Sequence, residues 1–146
     1  MKVAIDVDAL VAGTLAHSGA AHELLNLWRE GVFELATCPE LIREFIEVMG
    51  RPRIAGRYGI THEEINQAAE ELETEGLGYP DNADPPRRVP GDLDDDYLAD
   101  LAVRAEAMYL VSRDRHFHAA GLENEDVEVI YPAGFLRLLR ELEDTS

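Results

Sequence analysis

The chain has 146 residues, 46% of them hydrophobic, enough apolar surface for a single domain over 1–146 to bury a core without disulfides or structural metal. Cys38 is the only cysteine and has no CxxC or histidine spacing around it, and no N-terminal h-region, 18-residue apolar stretch or lipidation signal occurs. The composition thus excludes a disulfide scaffold, a zinc site and a membrane span, and a soluble cytoplasmic protein is expected. The formal charge of −17 arises from 30 acidic and 13 basic residues, of which only Lys2 is a lysine; with acid spread along the whole chain this suits very high salt, where carboxylate repulsion is strongly screened, and points to a halophilic source rather than a disordered acidic tail.

In chain order, residues 2–5 (Lys-Val-Ala-Ile) form a short apolar run that ends at Asp6 and reads as a buried strand. A helix is expected between Gly19 and Gly31, where Leu24, Leu25, Leu27 and Trp28 recur at helical spacing, followed by a strand over Phe33 to Thr37. Pro39 suits the first turn of the next helix, which carries Leu41, Ile42, Phe45, Ile46, Val48 and Met49 and stops at Gly50-Arg51-Pro52. Thr61-His62-Glu63-Glu64 has the form of a capping box and opens a helix to about Glu75. Gly76 to Gly91, with four prolines and three glycines, reads as a long surface loop. Beyond it come an acid-started amphipathic helix from Asp92, a buried strand over Met108 to Ser112, another over Val127 to Tyr131, and a closing helix from Pro132 to Leu142. Short strands alternating with helices predict a three-layer α/β/α domain with a central parallel sheet and right-handed crossovers.

Two of these strands end alike, one at Asp6 with Asp8 behind it and one at Asp114 just past Ser112. Parallel strands share one carboxyl edge, and ligands of open α/β sheets bind there, so the two aspartates are candidates for one site; as favoured N-caps, each is equally explained by the helix that follows. On the helix after Pro39, Glu44 falls roughly 40° outside the Val48 edge of the apolar arc. It is therefore expected at the shoulder of the helix, either half-buried, where an ionised carboxylate needs a cation or donor, or on an ordinary solvated flank. Asp92, Asp94, Asp95 and Asp96 stand at a helix start, where negative charge favours the dipole, and Asp96 lies one turn before Asp100. Carboxylates forced together repel unless a divalent ion neutralises them, and hard oxygen donors favour Mg²⁺ or Mn²⁺ over zinc.

Asp6, Glu44, Asp96 and Asp114 occur in the order and on the elements of the acidic residues of PIN domains, and the chain resembles that family. The stretch PELIREFIEVMGRPR resembles its early-helix region and DDDYLADLAVRAEAMYLVSRDRHF its acid-helix-strand-[ST]xD block, so the resemblance runs from Lys2 to the C-terminal helix. It implies divalent-metal-dependent cleavage of RNA, with Asp6, Asp96, Asp114 and Glu44 as metal ligands or activators of water and Ser112 orienting a water or an aspartate. Three positions depart from the family pattern: Asp6-Val7-Asp8 stands for Asp-Thr-Asn and makes Asp8 an additional acid, Ser112 stands for Thr, and His116 stands where a further acid is frequent.

Arg51 and Arg53, with Arg57 beyond the Glu44 helix, and Arg113 and Arg115 flanking Asp114, are the candidate cations for substrate phosphates; ion pairing with the many acids is their alternative. Stand-alone PIN domains of this size resemble toxins held by an antitoxin protein, which makes an antitoxin and RNA the expected partners. The alternatives are an RNA-processing nuclease without an antitoxin and a non-catalytic PIN-like scaffold binding RNA or protein. A homodimer is also expected, with Trp28 and Tyr58 either at its interface or in the core. A phosphatase using the Asp6-Val7-Asp8 motif is disfavoured because the later lysine it needs is missing. The five histidines show no metal-ligand spacing.

Overall fold

A computed structural model describes residues 1–90 and 95–145. Its centre is β1 (Lys2–Ile5), a buried apolar strand paired in parallel with β2 (Glu34–Thr37) on one side and β4 (Tyr109–Val111) on the other. β3 (Leu77–Gly78) adds to β2 and β5 (Glu128–Ile130) to β4, also in parallel, which gives the order β3-β2-β1-β4-β5. The fold is therefore the expected α/β one, a five-stranded parallel sheet flanked by eight helices among the described residues. Chain progression runs outward from β1 through β2 to β3 and then crosses back to β4, so the strand order reverses between β1 and β4. Crevices at such a reversal are where open α/β sheets bind ligands.

Two of the longer helices are given no range by the sequence. α1 (Val7–Leu15) buries Val7, Ala9, Leu10, Val11 and Gly13, so it is apolar on nearly every side and shows no stripe of helical period. It packs tightly on α2 (Ala20–Arg29): a Cβ on Gly13 would stand 2.7 Å from the Ala21 carbonyl oxygen, and only glycine admits that approach. α3 (Pro39–Met49) stops at Gly50 as expected, and Pro52 then opens a further helix, α4 (Pro52–Tyr58), at a position where the missing N–H of proline costs nothing. α5 (His62–Glu75) begins with the expected capping box between Thr61 and Glu64.

The expected loop after Gly76 starts with β3 and continues as a fastened strap over residues 79–90. Asp81 accepts from the Glu40 N–H and from Arg43, Arg104 donates to the Pro80 carbonyl, and Asn82 donates to Asp100. α6 (Asp96–Arg104) follows and packs on β1, β2 and β4, whereas α1, α2, α3, α5 and α8 (Pro132–Asp144) form a set that pack on one another. Right-handed crossovers account for this division, because reversing the direction of travel along the sheet changes the covered face. Between β4 and β5 lie the short α7 (Arg115–His118) and a 3-10 turn, Leu122–Glu125. Phe33, Tyr109 and Phe135 close the core beneath α8 with edge-to-face and tilted contacts. No helix among the described residues is long and apolar enough to cross a membrane.

Candidate active site

The register pairs Ile5 with Val111, which brings Asp6 beside Ser112 at the strand reversal. Asp6 Oδ1 accepts from the Ala9 N–H at 2.8 Å and caps α1, while Oδ2 accepts from the Ser112 hydroxyl. Ser112 Oγ in turn accepts from the Asp114 N–H at 2.9 Å, and Asp114 Oδ1 caps α7 by accepting from the His116 N–H. Both aspartates thus cap helices, and Ser112 holds their strand ends together. Asp6 is only 6% exposed, and burial raises its carboxyl to about 6 against the opposing bonds from Ser112 and Ala9; repulsion from Asp8 and Asp114 adds to the rise. Ser112 is fully buried and ties the two strand ends into one unit.

Glu44 is half-buried at the shoulder of α3, and its Oε2 accepts a short hydrogen bond from the Tyr97 hydroxyl on α6. Burial raises the Glu44 carboxyl, the Tyr97 bond opposes that rise, and Asp8 reinforces it. Desolvation and the neighbouring Glu44 charge together push the Tyr97 phenol far above its ordinary range, so it is a permanent donor. Asp8 is exposed in the first turn of α1. Asp6, Asp8, Glu44, Asp95 and Asp114, with Tyr97, line one cavity of about 30 Å³, room for one or two water-sized species. Glu44 and Tyr97 also border a trough of about 880 Å³ under the strap, walled by Arg43 and Arg51, and Asp6, Asp8 and Asp114 border a cleft of about 340 Å³ that includes Arg113. The carboxylates therefore sit at a constriction between two wider spaces.

Asp96 is the exception among the expected acids. It is 2% exposed, and its Oδ1 accepts from the Arg88 and Val89 N–H groups at 2.8 Å each, so its carboxylate is turned to the strap; Asp95 takes the place in the cavity. Asp100, one turn on, joins the same second cluster, paired with Arg88 at 3.1 Å and Arg104 at 2.7 Å, while Arg88 also reaches Glu125. The one-turn spacing that singled out Asp96 therefore belongs to a structural stripe, Asp96-Asp100-Arg104, about 100° around the helix from Asp95. That stripe separates the two acids only once the strap is laid beside it. Asp92 and Asp94 lie outside the described residues. Tyr97, the other residue the sequence reading passed over, carries no motif and is recognisable only once α3 and α6 are juxtaposed.

Of the proposed phosphate-binding arginines, Arg51 makes a 3.5 Å exposed pair with Glu47, whereas Arg53, Arg113 and Arg115 are exposed and make no ion pair among the described residues. His116 Nδ1 lies 3.3 Å from Asp114 Oδ1. Trp28 is buried in the core and Tyr58 is half-exposed, which divides the two residues considered for an interface. Among the described residues no three acidic, histidine or cysteine side chains converge closely enough to form a finished metal site. The donor set nevertheless suits a hard divalent cation, since it is all carboxylate oxygen around a space of ion size and burial, with repulsion from Asp8 and Asp114, raises the Asp6 carboxyl.

No curated protein sequence matches the chain. Among solved structures, it is similar to a chain in the crystal structure of VapBC2 from Rickettsia felis bound to a DNA fragment from their promoter. The TM-score is 0.62 at 11% identity, over 90% of this chain and 98% of that one, a likeness of fold. The PIN domain family matches residues 2–116, which hold every carboxylate of the cavity, and the chain belongs to that family.

Proposed function

We propose that this PIN-type nuclease fold is a divalent-metal-dependent endoribonuclease, using Mg²⁺ or Mn²⁺, and the toxin of a toxin–antitoxin pair. The observation that carries the reading is that five carboxylates line one small cavity beside the strand reversal, with Asp6 kept buried there. A bound divalent cation would supply activation of a water and neutralisation of charge developing on the scissile phosphate. Asp6 and Asp114 are the proposed principal ligands, with Asp95 in the position expected of Asp96 and Asp8 as an additional acid. Ser112 holds Asp6 and the Asp114 backbone in fixed relation, which limits the reorganisation the site needs. Glu44, with Oε2 held by Tyr97, keeps Oε1 available to orient a water or take its proton, and burial of its carboxyl raises its basicity. Arg51 and Arg113, in the two wider spaces, are placed to meet phosphates on either side of the constriction.

The toxin role and an antitoxin partner are supported by the resemblance in fold to a chain of the VapBC2 structure. The experiment for the enzymatic reading is cleavage of a labelled single-stranded RNA in molar KCl with Mn²⁺ or Mg²⁺, run beside EDTA controls and the variants Asp6→Asn and Asp114→Asn. Metal-dependent cutting that both substitutions abolish in folded protein is the expected result. A wild type that binds RNA and never cuts it, at any salt or with either metal, would overturn the reading in favour of a non-catalytic scaffold.

A further inference from the structure

The trough that leads to the carboxylates is walled by more acid than base. Its charged walls are Glu40, Glu44, Glu47 and Asp81 against Arg43 and Arg51, and both arginines are already paired with acids, Arg43 with Asp81 and Arg51 with Glu47. A strand entering it needs an anchor outside. Arg51 is the N-cap of α4, and the segment running on from it, residues 51–60, carries three arginines and no acid in a chain of net charge −17. None of the α4 residues is buried.

On α4, Arg53 and Arg57 are one turn apart, with Cβ atoms about 5–6 Å from each other on one face of the helix. Both are exposed, and neither makes an ion pair among the described residues. The Arg57 guanidinium stands 5.7 Å from the centroid of the Tyr58 ring, and that ring is 51% exposed. Gly56, between them, has open space where a side chain would stand. Two uncompensated cations beside a half-exposed aromatic ring combine phosphate attraction with a base-stacking face, the pairing by which single strands are held without regard to sequence.

We infer that α4 is a docking platform for single-stranded nucleic acid, with Arg53 and Arg57 on the phosphates and Tyr58 stacked on a base, feeding the strand past Arg51 into the trough. This rests on the nuclease reading for where the strand goes, but not for whether it binds. The alternative occupant of a basic patch on so acidic a chain is the surface of a second copy.

The test is fluorescence anisotropy of a labelled single-stranded RNA oligonucleotide with the full chain in EDTA, where cleavage does not interfere, over a series of KCl concentrations. Each of two phosphate contacts contributes about 0.7 to the slope of log K against log salt, so Arg53→Ser with Arg57→Ser should flatten it by about 1.4. Tyr58→Ala should weaken binding about tenfold and Tyr58→Phe should restore it. Unchanged affinity and slope in all variants would overturn the platform, as would a wild type that binds no RNA. So would variants that bind RNA normally but lose self-association in sedimentation, which would assign α4 to a contact between copies. A wild type that cuts RNA with α4 variants unaffected sinks the platform and spares the nuclease. A wild type that binds through α4 but never cuts does the reverse.

Discussion

The molecule holds two clusters of acid that meet at the start of α6, one contributed by α6 itself and one by the end of β1 and the shoulder of α3, and they are built on opposite electrostatic terms. Asp96 and Asp100 are matched: two backbone N–H groups bond the first, and Arg88, Arg104 and Asn82 surround the second, which holds the Asp100 carboxyl below its usual range against the cost of burial. Asp6 and Glu44 lie among other acids, burial pushes both carboxyls up, and among the described residues no arginine pairs with either. A buried acid that is satisfied fastens structure; one held against ionisation stores the demand for a cation. The contrast yields tests in which the same kind of substitution has opposite consequences.

The largest expected effect is on chemistry. Asp6→Asn should reduce metal-dependent RNA cleavage by about three orders of magnitude or more, the scale for losing a principal electrostatic group, measured as single-turnover rate. In the matched cluster, Asp100→Ala removes the buried acid that Arg88 and Arg104 share and one of the fastenings of the strap, the bond from Asn82. It should cost about 3–5 kcal/mol in chemical denaturation, as for one half of a buried pair.

Next comes the stability of Asp6→Asn itself. The folded carboxyl near 6, against an ordinary value of 3.8, means the folded chain binds the proton more tightly than the unfolded one. In EDTA the contribution of Asp6 to stability should therefore be fully present below about pH 4, be lost as the pH rises to about 6, and level off above it, whereas that of the depressed Asp100 runs the other way. Asp6→Asn removes that dependence and should be more stable than wild type by about 2 kcal/mol at pH 8, with little difference at pH 4, by thermal or urea denaturation. Equal or lower stability of the variant at pH 8 would contradict the claim that Asp6 is strained electrostatically.

Tyr97→Phe frees Glu44 from α6. It should cost about 1 kcal/mol of stability and slow cleavage by about tenfold or more, because Glu44 is then oriented by α3 alone. The smallest effect belongs to Arg140→Gln, which breaks an exposed pair with Glu23; the expected change in stability is within about 0.5 kcal/mol.

The legibility of the molecule follows the same physics. β1, β2, β4 and β5 stand out because buried parallel strands are short apolar runs, and α2, α3, α5, α6 and α8 because each turns one apolar face to the core. α1 escapes because it is buried nearly all round, α4 because Pro52 reads as a stop although it begins a helix, and β3 because two residues carry no periodicity. Asp6, Ser112 and Asp114 are legible since strand ends share an edge, and Glu44 since a helical wheel fixes its shoulder position. Asp95 and Asp96 differ only by a turn of about 100°, and which one faces the cavity depends on where the strap lies, a tertiary fact.

The most direct test of the account is therefore Asp95→Asn beside Asp96→Asn, comparing metal-dependent RNA cleavage per folded molecule with stability. We expect Asp95→Asn to abolish cleavage in the folded protein, and Asp96→Asn to lose stability through the strap while its folded fraction still cuts. Loss of cleavage in folded Asp96→Asn together with an active Asp95→Asn would contradict the separation of the two clusters and return the site to the residue the sequence first suggested.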